Sequence, residues 1–442
     1  MGLKPRSCFL EWGIMWLFRK DNYMDTLSQK LEEVLHGLAF EKIEGESPGS
    51  ESDPLLARLN TLGSELWIDT GELEKAQEIW KSELTALTTN NTLANQVVQS
   101  GIMDKVIEDT IHKIKQEGLE LSDEEMILEV GFVINCKIAL RLVQAFKVKV
   151  SVELHPAVSR SIERTLYFGR RYFNVCPEYF TVKVPLTPEG YLAVRALRKE
   201  NIPINFTLGF SVRQNYLAAR LANPDFVNVF LGRLNQVVID HKAGSGELVG
   251  EKVTLATQRA LMSARDQHKD VSSRLIAASI RNGEQVAFLA GLDVLTIPPK
   301  AMKEFQESGK SNEQIVSHID DEIEPGIDSQ SDFAKRFSGL WELPDEFENF
   351  VNTLVSHPQL DSMQGDELAR MAEKVNLFHD FSDEDLKKMR DHGKIPDLSD
   401  WPESVALDDL MTQSALQSFT KDQNALDERI RSFLKCNNDS GW

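Results

Sequence analysis

Eight short apolar runs alternate with stretches of helical periodicity between residues 66 and 298. The runs lie at 66–70, 86–90, 149–154, 180–185, 202–210, 227–232, 275–279 and 294–298. The amphipathic stretches between them include 73–84, 124–146, 159–172 and 189–200. Few architectures accept this pattern. Parallel neighbours need a crossover between them, and an amphipathic helix supplies it while covering the sheet face. Eight such units in about 240 residues favour a closed barrel over an open sheet. The long gap between the second and third runs is filled by two helical patterns, 94–117 and 124–146. The expected fold is α/β, a (β/α)8 barrel of the TIM type over residues 63–310, with an N-terminal extension and helix at 1–62 and a helical C-terminal region at 311–442.

Charge separates the C-terminal region from the rest. The chain carries 49 Lys and Arg against 69 Asp and Glu, a net charge of −20. From residue 321 onward there are 27 acids and 12 bases, a net of −15, which leaves −5 for the first 320 residues. So acidic a molecule is a poor candidate for binding nucleic acid through its net field. Helical patterns are expected at 333–355, 365–378, 382–392 and 407–433, with Ser382 as an N-cap before acids. Phe333, Phe337, Leu340, Trp341, Phe347 and Phe350 recur at helical spacings, so this region is expected to be folded and docked on the outside of the barrel. Its acids are expected to face water, and it is expected to be dispensable for chemistry.

Cys8, Cys136, Cys176 and Cys436 show no CxxC spacing, and the nine histidines form no HExxH pair. A reducing, cytoplasmic setting is expected, with no structural metal and no cofactor. Near the N-terminus, Lys4 and Arg6 precede an apolar run that Glu11 interrupts. It is too short to span a bilayer, and no small-residue cleavage site follows it. Translation from Met1 or from Met24 is equally compatible with the sequence. The stretch 130–150 carries Lys137, Arg141 and Lys147 and reads as an amphipathic helix, not a membrane span.

Polar residues at the C-terminal ends of the runs are the candidates for chemistry, because barrels assemble their sites there. Asp69 ends the first run. Thr88 and Asn90 share a face of the second, Glu153 lies on the third, and Asn205 and Thr207 share a face of the fifth. Arg233 closes the sixth, and Ser279 ends the seventh, two residues before Arg281. Lys183 sits among Phe180, Val182, Val184 and Pro185, where burial should lower an amine's pKa and favour the nucleophile of a Schiff base. A lone strand lysine is more often one that snorkels or pairs with an acid, and each carboxylate alone is more often a salt-bridge partner. The set is more informative than its members. It contains an amine, two acids for proton transfer, hydrogen-bonding amides and hydroxyls, and two arginines suited to phosphate.

Seven blocks in order resemble the transaldolase family of Schiff-base enzymes: LWIDT at 66–70, LTTN at 87–90, VSVEL at 150–154, VKVPLTPEG at 182–190, INFTLGFS at 204–211, FLGR at 230–233 and ASIRN at 278–282. The resemblance implies Lys183 as the Schiff-base lysine, Asp69 as acid/base, and Glu153 with Thr207 as the residues serving a catalytic water. It also implies Thr88, Asn90, Asn205, Asn228, Phe230, Arg233, Ser279 and Arg281 as substrate-binding residues. Two positions depart from the family pattern. Asn91 stands where proline usually follows the Thr-Thr-Asn, which could loosen that loop. Asn228 stands where serine is frequent, with a different reach for hydrogen bonds.

The implied activity is transfer of a three-carbon dihydroxyacetone unit between sugar phosphates, from sedoheptulose 7-phosphate to glyceraldehyde 3-phosphate, giving erythrose 4-phosphate and fructose 6-phosphate. Sugar phosphates are the expected partners, with neither nucleic acid nor membrane; a homodimer is one compatible assembly, and the sequence does not fix the oligomeric state. Two alternatives compete. A fructose-6-phosphate aldolase would typically carry glutamine at the Glu153 position and tyrosine at the Phe230 position. A non-catalytic barrel using its tail for interactions would have no need of the complete residue set.

Overall fold

A computed structural model describes residues 22–45 and 49–439. The apolar run near the N-terminus, and with it the question of a leader, lies outside the described residues. Eight parallel strands close into one barrel in sequence order: β1 (Glu65–Asp69), β2 (Leu84–Thr88), β3 (Lys149–Glu153), β4 (Phe180–Pro185), β5 (Ile204–Thr207), β6 (Phe226–Phe230), β7 (Arg274–Ala278) and β8 (Val294–Ile297). The (β/α)8 expectation holds. Closure is made by β1 on β8, with Trp67 opposite Thr296 and Ile68 opposite Ile297. All six residues of β4 are buried. That burial explains the unbroken apolar runs, since strands of a closed parallel barrel are covered on both faces.

Element boundaries shift where local chemistry intervenes. The expected helix 94–117 is two helices, Asn91–Gln99 and Asp104–Gln116, parted at Gly101, whose φ of 82° ends the first. β2 stops at Thr88, so Asn90 is not on its face. Asn90 is instead the N-cap of the next helix, its side chain accepting from Leu93 N at 2.9 Å. Arg233 likewise lies past β6, in the first turn of the helix Leu231–Asp240.

The VKVPLTPEG block has a structural use as well as a chemical one. Thr187 caps the helix Pro188–Lys199 by accepting from Gly190 N at 2.9 Å, and Pro188 takes the first helical position, where its missing N–H costs nothing. A side chain on Gly190 would press into the Pro185 carbonyl. The turn therefore fixes how β4 ends, two residues beyond Lys183.

The C-terminal region is helical, as expected, but more broken: Ala334–Ser338, Asp345–Val355, Gly365–Ala372, Asp383–His392 and Leu407–Asp439. Pro344 separates the first two. Phe337, Leu340, Phe347 and Phe350 are buried, while Phe333 and Trp341 are partly buried against the core.

Its position corrects two expectations. Not all of its acids face water: Asp408 and Asp409 are buried, and Asp408 receives a fork from Arg213 Nε and Nη2, both at 2.7 Å. Nor is the region confined to the barrel's outer side. The helix Leu407–Asp439 crosses the end where the strands finish. Thr412 Oγ1 donates to Leu208 O at 2.9 Å just after β5, Arg160 Nη2 donates to Gln413 Oε1 at 2.6 Å after β3, and Asn91 Nδ2 donates to Gln423 Oε1 at 2.9 Å after β2. Among the described residues, no helix is long and apolar enough to cross a membrane.

Candidate active site

Lys183 projects into the barrel from the middle of β4. Cross-strand register places it between Glu153 on β3 and Asn205 on β5. Its Nζ donates to Thr89 O at 3.0 Å and forms an ion pair with Glu153 Oε2 at 3.0 Å, both side chains being about 95% enclosed. Burying an ion pair costs more desolvation than its attraction usually returns, so such a pair is weak evidence of a stabilising role. Burial pushes the Glu153 carboxyl above its ordinary range, Lys183 draws it back, and Asp69 adds to the rise. Glu153 is thereby disposed to take a proton from its neighbour.

Asp69, at the end of β1, lines the cavity above Lys183. Thr88 Oγ1 donates to Asp69 Oδ1 at 2.7 Å and lies 2.6 Å from Thr296 Oγ1 on β8. Burial raises the Asp69 carboxyl, against smaller downward pulls from Lys183, Thr88 and Arg281. Burial thus raises two carboxyls near one amine, which equips them to exchange protons with it and with a bound substrate.

A polar chain runs around the wall. Asn228 Nδ2 donates to Asn205 Oδ1 at 2.9 Å, and Asn205 Nδ2 donates to Ser151 Oγ at 3.2 Å. The departure to Asn228 thus locks the Asn205 amide in place. Thr207 stands two residues beyond Asn205, buried, its Oγ1 without a hydrogen-bond partner among the described residues.

The other end of the cavity is cationic. Arg233 is 5% exposed, and its guanidinium carbon lies 5.9 Å from the Phe230 ring and 5.4 Å from the Phe419 ring. Its Nη1 is buried without a hydrogen-bond partner among the described residues. Burial and the nearby Arg281 draw its pKa down to about 10, still far enough above neutral to keep the charge. Burial lowers Arg281 too. Arg281 is held by its backbone: its N–H donates to Gln285 Oε1 at 2.7 Å, and Gln285 Nε2 donates to Glu251 Oε1 at 2.8 Å. Ser279 adopts φ 64°, a strained conformation for a residue with a side chain, and it sharpens the turn out of β7. Gly232 admits that turn, because a methyl group there would press into Ser279 O and the Arg281 side chain.

The cavity holds about 220 Å³, with Asp69, Thr88, Asn90, Lys183, Asn205, Asn228, Phe230, Arg233, Ser279 and Arg281 on its wall. Ten of the twelve residues singled out in the sequence therefore meet there. Glu153 stands against Lys183, and Thr207 lies in the next layer. The matching of an amine and two carboxyls at one end with guanidinium groups that have no ion-pair partner among the described residues at the other suits a carbonyl substrate with an anionic tail.

The family model described as transaldolase/fructose-6-phosphate aldolase matches residues 66–339, more than half of the chain. The chain belongs to this family. A probable transaldolase of Exiguobacterium sibiricum is 34% identical over 176 residues, covering 39% of this chain and 73% of the relative. A probable transaldolase of Thermus thermophilus is 32% identical over 244 residues, 54% of this chain and 89% of the relative. A transaldolase of Gloeobacter violaceus is 25% identical over 338 residues, 71% of this chain and 82% of the relative. Relatives thus carry the name of a transferase.

Among the wall residues that the sequence reading missed are Thr296, Lys394 and Phe419. Thr296 was legible as the one polar residue of the VLTI run. Lys394 and Phe419 line the same cavity from the C-terminal region. Nothing local marks them, since each lies more than a hundred residues from the arginines it joins.

Proposed function

We propose that this transaldolase-family protein is a transaldolase, moving a dihydroxyacetone unit between sugar phosphates through a Schiff base on Lys183. The observation that carries the proposal is the buried Lys183–Glu153 pair at 3.0 Å within a cavity whose far wall holds Arg233 and Arg281. Glu153 takes the ammonium proton, and the neutral amine attacks the donor's C2 carbonyl. The carbonyl electron pair moves to oxygen, which is protonated and leaves as water. The orphan hydroxyl of Thr207 and the Glu153 carboxyl are suited to hold that water.

Asp69 then takes the C4 hydroxyl proton. The C3–C4 bond breaks, its electrons pass into the C3–C2–N system as an enamine, and an aldehyde departs. An acceptor aldehyde is attacked by C3, Asp69 returns the proton to the new alkoxide, and water releases the product ketose from Lys183. Asn205, held by Asn228 and Ser151, and Asn90 and Thr88 orient the donor hydroxyls. Arg233, Ser279 and Arg281 grip the terminal phosphate.

Transfer is favoured over simple aldol cleavage by two residues. Glu153 is an acid where the aldolases carry an amide. Phe230 places a bare ring beside the cavity where they carry a phenol, so no hydroxyl there can protonate the enamine carbon and release the ketone early. Borohydride with fructose 6-phosphate should fix label on Lys183, and erythrose 4-phosphate should discharge the unreduced intermediate to sedoheptulose 7-phosphate. Release of free dihydroxyacetone at the same rate with and without acceptor would favour the aldolase instead. A cytoplasmic homodimer belongs to the same proposal, and sedimentation at working concentration tests the assembly.

A further inference from the structure

Lys394 lies in the short segment between the helix Asp383–His392 and the turn at Leu398–Asp400. Gly393, at φ 125°, turns the chain there, and buried Pro396 and Leu398 tie the segment down. The lysine backbone is thus fixed while its side chain lines the cavity that holds Arg233 and Arg281. No carboxylate lies within ion-pair distance of its ammonium among the described residues. The nearest acid influence is Asp422, whose carboxylate accepts from the Thr92 hydroxyl. Arg233 offers a buried, unpartnered Nη1 to the same space.

Arg233, Arg281 and Lys394, none with a paired carboxylate among the described residues, repel one another across a small volume, and this costs the fold unless an anion occupies the space between them. The two arginines come from the barrel and the lysine from the C-terminal region, so their convergence owes nothing to chain proximity. Phe419, from that same region, seats the Arg233 guanidinium on its ring.

We propose that Lys394 is a third cationic group of the anion subsite, reaching from the C-terminal region to the terminal phosphate of the bound sugar, an inference that stands on the transaldolase reading above. An ammonium on a flexible stem donates to a phosphate oxygen without demanding the planar geometry of a guanidinium. Its place at the cavity rim, beside exposed Arg281 and beyond buried Arg233, suits capture of the dianion and leaves the reacting carbons at the Lys183 end untouched. Its effect therefore falls on KM more than on kcat.

The test measures binding of inorganic phosphate by calorimetry, and KM and kcat for fructose 6-phosphate, in full-length protein. Lys394→Met should weaken phosphate binding and raise KM by roughly 5- to 10-fold, less than a fully buried charged partner contributes because the lysine is exposed. Lys394→Arg should restore most of both. Lys387→Met removes the same charge from an exposed position on the neighbouring helix and should leave phosphate affinity unchanged. Equal phosphate affinity in Lys394→Met and the unmodified protein, or equal losses from Lys394→Met and Lys387→Met, would overturn the assignment. The two proposals fail separately. Phosphate binding that depends on Lys394, in a protein that borohydride cannot trap with fructose 6-phosphate, keeps the subsite and removes the transaldolase reading. Trapping and transfer with phosphate affinity indifferent to Lys394 does the reverse.

Discussion

At the scale of single residues, burial raises two carboxyls beside Lys183, and the proposed mechanism gives them different tasks. Lys183→Met keeps the length and apolar stem but removes the amine, so borohydride trapping and transfer should both vanish; any trapped adduct would have to sit elsewhere. Asp69→Ala should still trap donor while transfer falls by roughly 10²–10⁴-fold. Glu153→Gln should slow the trapping step itself, because the amide cannot accept the proton of Lys183. Identical defects in the two variants would erase the distinction. Gly232→Ala tests the packing beneath the arginines. Its methyl must displace the Ser279–Arg281 turn, and it should raise KM for phosphorylated donors about tenfold while costing about 1–3 kcal/mol of stability. Most of these residues were legible because barrel strands advertise them: a charge or amide inside an apolar run has few reasons to be there. The positions of Asn90 and Arg233 were legible only as neighbours of a strand, since the chain turns into a helix before reaching them.

At the scale of elements, the decisive contacts join the C-terminal helices to the loops that follow the strands. Asn91 occupies the first position of its helix, where proline would suit the backbone but could not donate to Gln423. The departure expected to loosen this loop instead ties it to the helix Leu407–Asp439. Asn91→Ala should cost about 1–3 kcal/mol in chemical denaturation by stranding the buried Gln423 oxygen; an unchanged midpoint would make that bond dispensable. Asp409 anchors the same helix by accepting from His379 N at 2.7 Å. Burial raises its carboxyl to about 7, helped by Asp408 and opposed by the His379 N–H, Arg160 and Gln413. The folded state therefore favours the protonated form. The stability this contributes is complete below the ordinary aspartate pKa and is lost as pH rises through about 7. Relative to Asp409→Asn, the unmodified protein should lose on the order of a few kcal/mol between pH 5 and pH 8. A pH-independent difference between the two would show that the carboxyl is already ionised.

At the scale of the whole molecule, the barrel could be read from the sequence and the placement of the last hundred residues could not. Periodicity reports which face of a helix is apolar, not which surface it covers, so Phe337 and Phe350 announced a docked region without saying where it docks. Charge misled further. An excess of acids suggested a solvated cover, yet Asp408 is spent on Arg213. Removing residues 407–442 should therefore do more than lower solubility. It takes away Phe419 and the contacts to the loops after β2, β3 and β5, and should raise KM for phosphorylated donors by about tenfold or more in whatever soluble protein remains. A soluble truncate with unaltered kinetics would return the region to a purely protective role. The same crossing helix has a consequence in time. A ribosome releases the barrel strands long before it releases Thr412, Phe419 and Gln423, so a nascent chain can close its barrel while the cavity around Arg233 still lacks a wall. Full competence would then arrive only with residues 407–439, and a chain interrupted short of them would carry the nucleophile with a weakened hold on its substrate.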